Sequence, residues 1–229
     1  MNNNKLKQVI QKEYKKCAVD PVYFMKKYCY IQHPKKGKVK FDLYPFQEKC
    51  VTEFNENRYN IILKSRQLGI STLSAGYALW TMLFHNDKNI LVIATGKDVA
   101  KNLVTKVRVM FEGLPSWLKA STEETNKLSL RFTNGSQIKA IASNESAGRS
   151  EALSLLIIDE AAFIDKVGTI WTAAQQTLAT GGDAIVLSTP NGVGNWFHQQ
   201  WVGAEDKTNE FNTIKLHWTN HPDRDQSWR

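Results

Sequence analysis

Cysteine is scarce in this sequence, and the three present, Cys17, Cys29 and Cys50, lie far apart, with no CxxC pair and no histidine at ligand spacing. They neither frame a disulfide scaffold nor make a zinc site, which fits a protein of a reducing compartment. No run of about eighteen uncharged apolar residues occurs, so no membrane span is expected. The opening MNNNKLKQVIQKEYKK has no apolar core behind its charges and does not read as a secretory signal. Internal repeats and low-complexity tracts are also missing. What is present is ordinary for a chain with a real core: 229 residues, 42% apolar and 23% charged, which excludes a mainly disordered protein. The length suits one generous domain, or one domain with a small appendage.

The net charge of +8 is not spread evenly, because residues 1–50 hold twelve lysines against four acids while residues 51–229 hold eighteen of each sign. The densest part, HPKKGKVK at 33–40, reads as a lysine-rich loop or hairpin. Lysines that neutralise phosphates release counterions, so contact with a polyanion is one reading. A solvated face that keeps the protein soluble is the other.

From Tyr59 onward, apolar runs of strand length alternate with helical patterns. Strands are expected at 60–65, 89–95, 153–159 and 184–189, and helices at 71–85, 98–111 and 170–180. Leu73, Tyr77, Trp80 and Phe84 share one face of the first helix, and Val99, Leu103, Val107 and Met110 one face of the second. LSLRF and QIKAIA flank Asn134-Gly135, a strong hairpin signal. The segment 153–159 is almost wholly apolar and should be a central strand covered on both faces. The alternation predicts an α/β fold with a mainly parallel sheet flanked by helices and a β-hairpin insertion.

Chemistry concentrates at the ends of these strands. In ILKSRQLGISTLS (62–74) a strand passes through a short loop into a helix. A phosphate loop needs exposed backbone N–H groups, a helix N-terminus, a hydroxyl for magnesium and a cation. Against G-x-x-x-x-G-K-[ST], Lys64 stands for the first glycine, Gly69 and Ser71 match, and Ile70 replaces the lysine. Alone, the junction also reads as an ordinary βα turn before a serine-capped helix, with Lys64 or Arg66 as the cation if it binds phosphate. LLIIDEAAFID (155–165) sharpens the first reading, since an apolar strand ends in Asp159-Glu160. Adjacent carboxylates there are costly unless they meet a cation. Asp159 would hold Mg²⁺ opposite Ser71, and Glu160 would polarise an attacking water. AIVLSTPNG (184–192) is a further strand with a polar end, where Ser188, Thr189 and Asn191 are candidates to sense the γ-phosphate. In LYPFQ (43–47), Gln47 could read an adenine edge while Tyr44 or Phe46 packs on the base. Arg149, in a polar loop before the acidic strand, is a candidate stabiliser of the transferring phosphoryl group.

In this order and spacing the motifs resemble those of the ATPase domain of the large terminase subunit, the DNA-packaging motor of tailed bacteriophages. SRQLGIS resembles that family's SRQ-x-GKS/T loop, LLIIDEAAFI its acidic strand, LSTPNG its coupling motif and LYPFQ its adenine motif. IATGKDVAKNLV resembles the segment after its first helix, and WTNHPDRDQSW the start of its linker subdomain. The resemblance implies a P-loop NTPase core at 58–218, preceded by a basic helical segment (1–57) that carries the adenine motif and followed by the start of a linker (219–229). It implies ATP binding by Lys64, Ser65, Arg66, Gln67, Leu68, Gly69, Ile70, Ser71 and Thr72 with Gln47, Mg²⁺ held by Ser71 and Asp159, and Glu160 as catalytic carboxylate. Ser188, Thr189 and Asn191 would couple hydrolysis to movement, and Arg149 would be an arginine finger. Implied partners are double-stranded DNA, the portal protein, the small terminase subunit and further copies in a ring, in the host cytoplasm at the procapsid portal. The nuclease domain usual in large terminases is absent from this sequence, which is read as a fragment or an isolated motor domain. Rival readings are another helicase-like translocase, a silent nucleotide switch, and a nucleic-acid-binding module that works through its basic segment.

Overall fold

A computed structural model describes residues 3–33, 35–143 and 152–225. Its elements run α1 (Asn3–Val19), α2 (Pro21–Tyr28), β1 (Tyr30–His33), β2 (Gly37–Lys40), α3 (Pro45–Glu56), β3 (Tyr59–Lys64), α4 (Ile70–Phe84), β4 (Asn89–Ala94) and α5 (Lys97–Glu112). They continue with β5 (Thr122–Thr125), β6 (Ser129–Phe132), β7 (Gln137–Ala142), β8 (Leu155–Asp159), α6 (Val167–Leu178), β9 (Asp183–Ser188), α7 (Trp196–Glu205) and β10 (Phe211–Leu216).

The main sheet has eight strands in the order β10-β3-β9-β8-β4-β7-β6-β5. Every pairing from β10 to β7 is parallel, and β5 and β6 extend the sheet antiparallel through the Asn134-Gly135 hairpin. Gly135 sits at φ +82°, where a Cβ would lie 2.1 Å from Asp87 Oδ1, so the turn needs glycine. β8 lies between β4 and β9, and all five of its residues are buried, as its apolar run demands.

Two apolar layers cover the sheet. On one side α6 and α7 pack Ile170, Trp171, Phe197 and Trp201 against β8 and β9. On the other, α4 and α5 lie on the sheet and the N-terminal segment closes over them. Cys17, Phe24, Met25, Cys29 and Phe54 belong to the same core as Leu73, Leu79 and Val107, so the core does not stop at residue 58. That extra cover explains why α4 carries eleven buried residues and not a single apolar stripe. In α5 the expected face shifts at its first turn: Val99 is exposed and Ala100 is buried in its place.

The lysine-rich segment is a hairpin, with β1 and β2 antiparallel and Ile31 opposite Val39. Sequence periodicity did not reveal α7 or β10. β10 pairs along the whole of β3 and forms the edge of the sheet. No described helix is long and apolar enough to cross a membrane.

Candidate nucleotide site

Because β3, β9, β8 and β4 run parallel, their carboxyl ends and the loops that follow share one edge of the sheet, where ligands of such sheets bind. Residues 65–69 leave β3 there and turn into α4. Gly69 caps α4 at φ +75°, and a Cβ on it would stand 2.8 Å from Gln47 Nε2. Gln47 is thereby part of the loop's construction. Its Oε1 accepts from Tyr44 N at 3.1 Å, and its Nε2 donates to Leu68 O at 3.0 Å. The loop is also held from the far end of the chain. Leu216 O accepts from Ser65 N at 2.9 Å, and the Arg224 guanidinium donates to Arg66 O and Gln67 O at 3.1 and 2.8 Å.

Asp159 and Glu160 sit at the tip of β8. Asp159 is buried, and its Oδ1 has no hydrogen-bond partner among the described residues. Burial pushes this carboxyl above its ordinary range, against the pull of the Ser71 hydroxyl and of Lys64 and Lys106. Glu160 adopts a left-handed backbone, φ 54° and ψ 45°, which is uncommon without glycine. Its side chain is tied on both sides. Oε1 takes Lys64 Nζ at 2.7 Å, and Oε2 takes Thr189 N at 3.1 Å and Thr189 Oγ1 at 3.0 Å. Burial alone would raise its carboxyl, but the Lys64 and Thr189 hydrogen bonds outweigh that and hold it below its ordinary value.

Of the residues expected to couple hydrolysis to movement, Ser188 and Thr189 meet this same carboxylate, and Asn191 meets the turn behind it. Ser188 Oγ lies 3.5 Å from Glu160 Oε2 and accepts from Ala162 N at 3.1 Å, while Asn191 Nδ2 donates to Ala162 O at 3.0 Å. The end of β9 therefore grips both Glu160 and the turn behind it.

A cavity of about 380 Å³ is lined by Lys64, the 66–72 segment, Lys106 and Glu160. A wider one of about 600 Å³ adjoins it at Gln67, Leu68, Gly69 and Thr72, between Tyr44, Gln47 and the β1–β2 hairpin. There Tyr44 packs against His221 with ring centroids 4.7 Å apart. Ile70, in the usual lysine position, is buried among the residues of the main core. Arg66 is exposed. Arg149 lies outside the described residues.

Among the described residues no cluster of three or more His, Cys, Asp or Glu could hold a metal by itself. The donors present, a serine hydroxyl and a buried carboxylate with one orphaned oxygen, are hard oxygen ligands of the kind that hold Mg²⁺ together with substrate phosphates. They fit that ion and not zinc.

Sequence reasoning passed over Lys106, Arg224 and His221. Lys106 carried a signal, since it lies three residues after Leu103 and four before Met110, beside the buried face of α5. His221 and Arg224 lie in the segment that resembles the family's linker, but nothing local showed that the tertiary fold brings them to the loop.

Comparison with solved structures gives the same fold. The large terminase ATPase domain of Thermus phage P74-26 aligns with a TM-score of 0.65 at 21% identity, over 82% of this chain and 86% of that one. The HK97 bacteriophage large terminase aligns with a TM-score of 0.70 at 16% identity, over 91% of this chain but 45% of that one. The large terminase of a thermophilic bacteriophage, solved in complex with ADP, aligns with a TM-score of 0.60 at 14% identity, over 80% of this chain and 48% of that one. The chain thus spans less than half of the longer terminases. A family model described as terminase large subunit, T4likevirus-type, N-terminal, matches residues 61–226. That match takes in most of the sequence, and the chain belongs to this family of terminase large subunit N-terminal domains.

Proposed function

We propose that this chain is the ATP-hydrolysing motor of a terminase and drives double-stranded DNA into a viral procapsid. One observation carries the reading: Glu160 stands at the tip of β8 beside the 65–71 loop, with one oxygen on Lys64 and the other on Thr189. A protein that only bound nucleotide would have no use for a carboxylate so placed.

In this reading the backbone N–H groups of 66–71 and the start of α4 receive the phosphates, while Tyr44 and Gln47 border the space for the base. Ser71 and Asp159 hold Mg²⁺, which neutralises phosphate charge when bound. Asp159 contributes a carboxylate with a free lone-pair direction, and Ser71 its hydroxyl. Glu160 orients and polarises the attacking water once Lys64 turns from it towards phosphate. Thr189 and Ser188 hold the carboxylate through that exchange and pass its position to the turn at Ala162 by way of Asn191. The Lys64–Glu160 pair is then the resting state of the site, with carboxylate and cation each satisfying the other. Arg149 supplies positive charge at the transferring phosphoryl group, from a neighbouring copy in a ring on the portal protein, with the small terminase subunit as a further partner.

The test is steady-state ATP hydrolysis with Mg²⁺ by the wild type, Glu160→Ala and Lys64→Ala over a range of protein concentrations. Loss of turnover in both variants is the expected result, with a wild-type specific rate that climbs with concentration. A wild type that binds ATP but never hydrolyses it, even with portal protein and DNA, would overturn the motor reading.

A further inference from the structure

A phosphate loop normally carries its cation immediately before the Ser/Thr that closes it. Here that position is Ile70, whose side chain is 1% exposed in the core. Lys64 is held at 2.7 Å by Glu160. Arg66 is exposed, with its carbonyl fixed by Arg224. Lys64 and Arg66 both line the cavity, but Lys64 is engaged by Glu160 until it turns to phosphate, and neither stands at the usual loop-lysine position, which Ile70 fills.

The adjacent helix supplies another cation. α4 follows β3 and α5 follows β4, and since the strands between them are all parallel, both helices start at the same edge of the sheet. They pack side by side in matching register. Gly76 has no side chain, so Met25 and Met110 close over it, and a Cβ there would lie 2.7 Å from Met25 Sδ and 3.6 Å from Met110 Sδ. One turn earlier on each helix stand Thr72 and Lys106. Helical side chains lean towards their helix's N-terminus, so the Lys106 stem rises from α5 towards the loop. Thr72 and Lys106 together line the cavity that holds Lys64 and Glu160. Lys106 has no carboxylate in ion-pair contact among the described residues, yet it feels Asp159, which favours its charge, and Lys64, which opposes it. Burial pushes its amine below the ordinary lysine range. A cation half-sunk beside this loop, in the field of Asp159 but in ion-pair contact with no described carboxylate, has room for an anionic ligand.

We propose that Lys106 is a phosphate-contacting cation of this nucleotide site, taking from the neighbouring helix the place that Ile70 leaves empty in the loop. This rests on the ATP reading given above. The ligand it recognises is the phosphate chain of a nucleoside triphosphate, approached from the Thr72 side.

The test measures Mg-ATP binding by calorimetry, and thermal unfolding with and without Mg-ATP, for the wild type, Lys106→Met and Lys106→Arg in the whole chain. Lys106→Met should weaken Mg-ATP by about tenfold or more, as loss of one charge-assisted hydrogen bond does. Its melting temperature without nucleotide should match or exceed the wild type's, and the ATP-induced rise should shrink. Lys106→Arg should stay within about threefold of wild type. An affinity in Lys106→Met within about threefold of wild type overturns the proposal. So does a Lys106→Met protein that melts lower without nucleotide yet keeps the full ATP-induced rise, since that marks a packing role. A wild type that binds no Mg-ATP overturns the ATP reading itself, and the role of Lys106 with it.

Discussion

The Lys64–Glu160 pair has a measurable strength that follows from its surroundings. The two charges meet at 2.7 Å, with Lys64 7% and Glu160 29% exposed. At that distance Coulomb's law gives about 1.5 kcal/mol with the dielectric of water and about 6 kcal/mol at an effective dielectric of about 20. Desolvation offsets much of the larger figure, so the net coupling should be about 1–3 kcal/mol. The single substitutions should be unequal. Glu160→Gln strands a buried ammonium and should cost about 2–4 kcal/mol. Lys64→Met leaves Glu160 with two hydrogen bonds from Thr189 and some solvent, and should cost about 1–2 kcal/mol. The double variant should then be less destabilised than the sum of the two. Urea unfolding without nucleotide or magnesium, followed by fluorescence from the seven tryptophans, measures all four corners of the cycle. A coupling below about 0.5 kcal/mol, or a Lys64→Met protein less stable than Glu160→Gln, would refute the reasoning.

Three further outcomes are expected. Gly69→Ala forces a side chain into a left-handed position and against the Gln47 amide, so it should lower stability by about 1–3 kcal/mol and weaken ATP binding, both visible in thermal unfolding with and without ligand. Asp159→Asn removes a buried charge with an orphaned oxygen, so stability without ligand should hold or rise while the Mg-ATP-induced shift in melting temperature disappears. Glu13 accepts hydrogen bonds from Lys27, Tyr23 and Tyr28, which lower its carboxyl from 4.5 to about 2. A lowered folded-state pKa stabilises the protein above the unfolded value and stops doing so as pH falls through the folded one. The stability gap between wild type and Glu13→Gln should therefore be full at neutral pH and close between pH 4.5 and about 2.

What the sequence disclosed tracks how local each feature is. β8 was legible because burial on both faces imposes an unbroken apolar run, and Asp159-Glu160 stood out against it. The hairpin followed from Asn134-Gly135, and α4 from its length and spacing. β10 was not legible, since an edge strand needs only Phe211, Ile214 and Leu216 buried and shows no clean alternation. The basic N-terminal segment misled by its charge: its lysines face water while Cys17, Phe24 and Met25 enter the main core. At the site, residue types identified a loop, a hydroxyl and two acids. They could not show that Gln47 is tied to Leu68 O, or that Lys64 faces Glu160, because both depend on distant segments meeting.

The bonds from Leu216 and Arg224 to the 65–67 loop also bear on the order in which it is built. Arg66 and Gln67 leave the ribosome well before their partner, which lies 158 and 157 residues further along. Until β10 docks, β3 is an open sheet edge and the carbonyls at 66 and 67 have only water to meet. A nascent chain can build most of the sheet and still lack a rigid loop after β3. The rigid form of this loop thus waits for residue 224, long after the loop itself has been made.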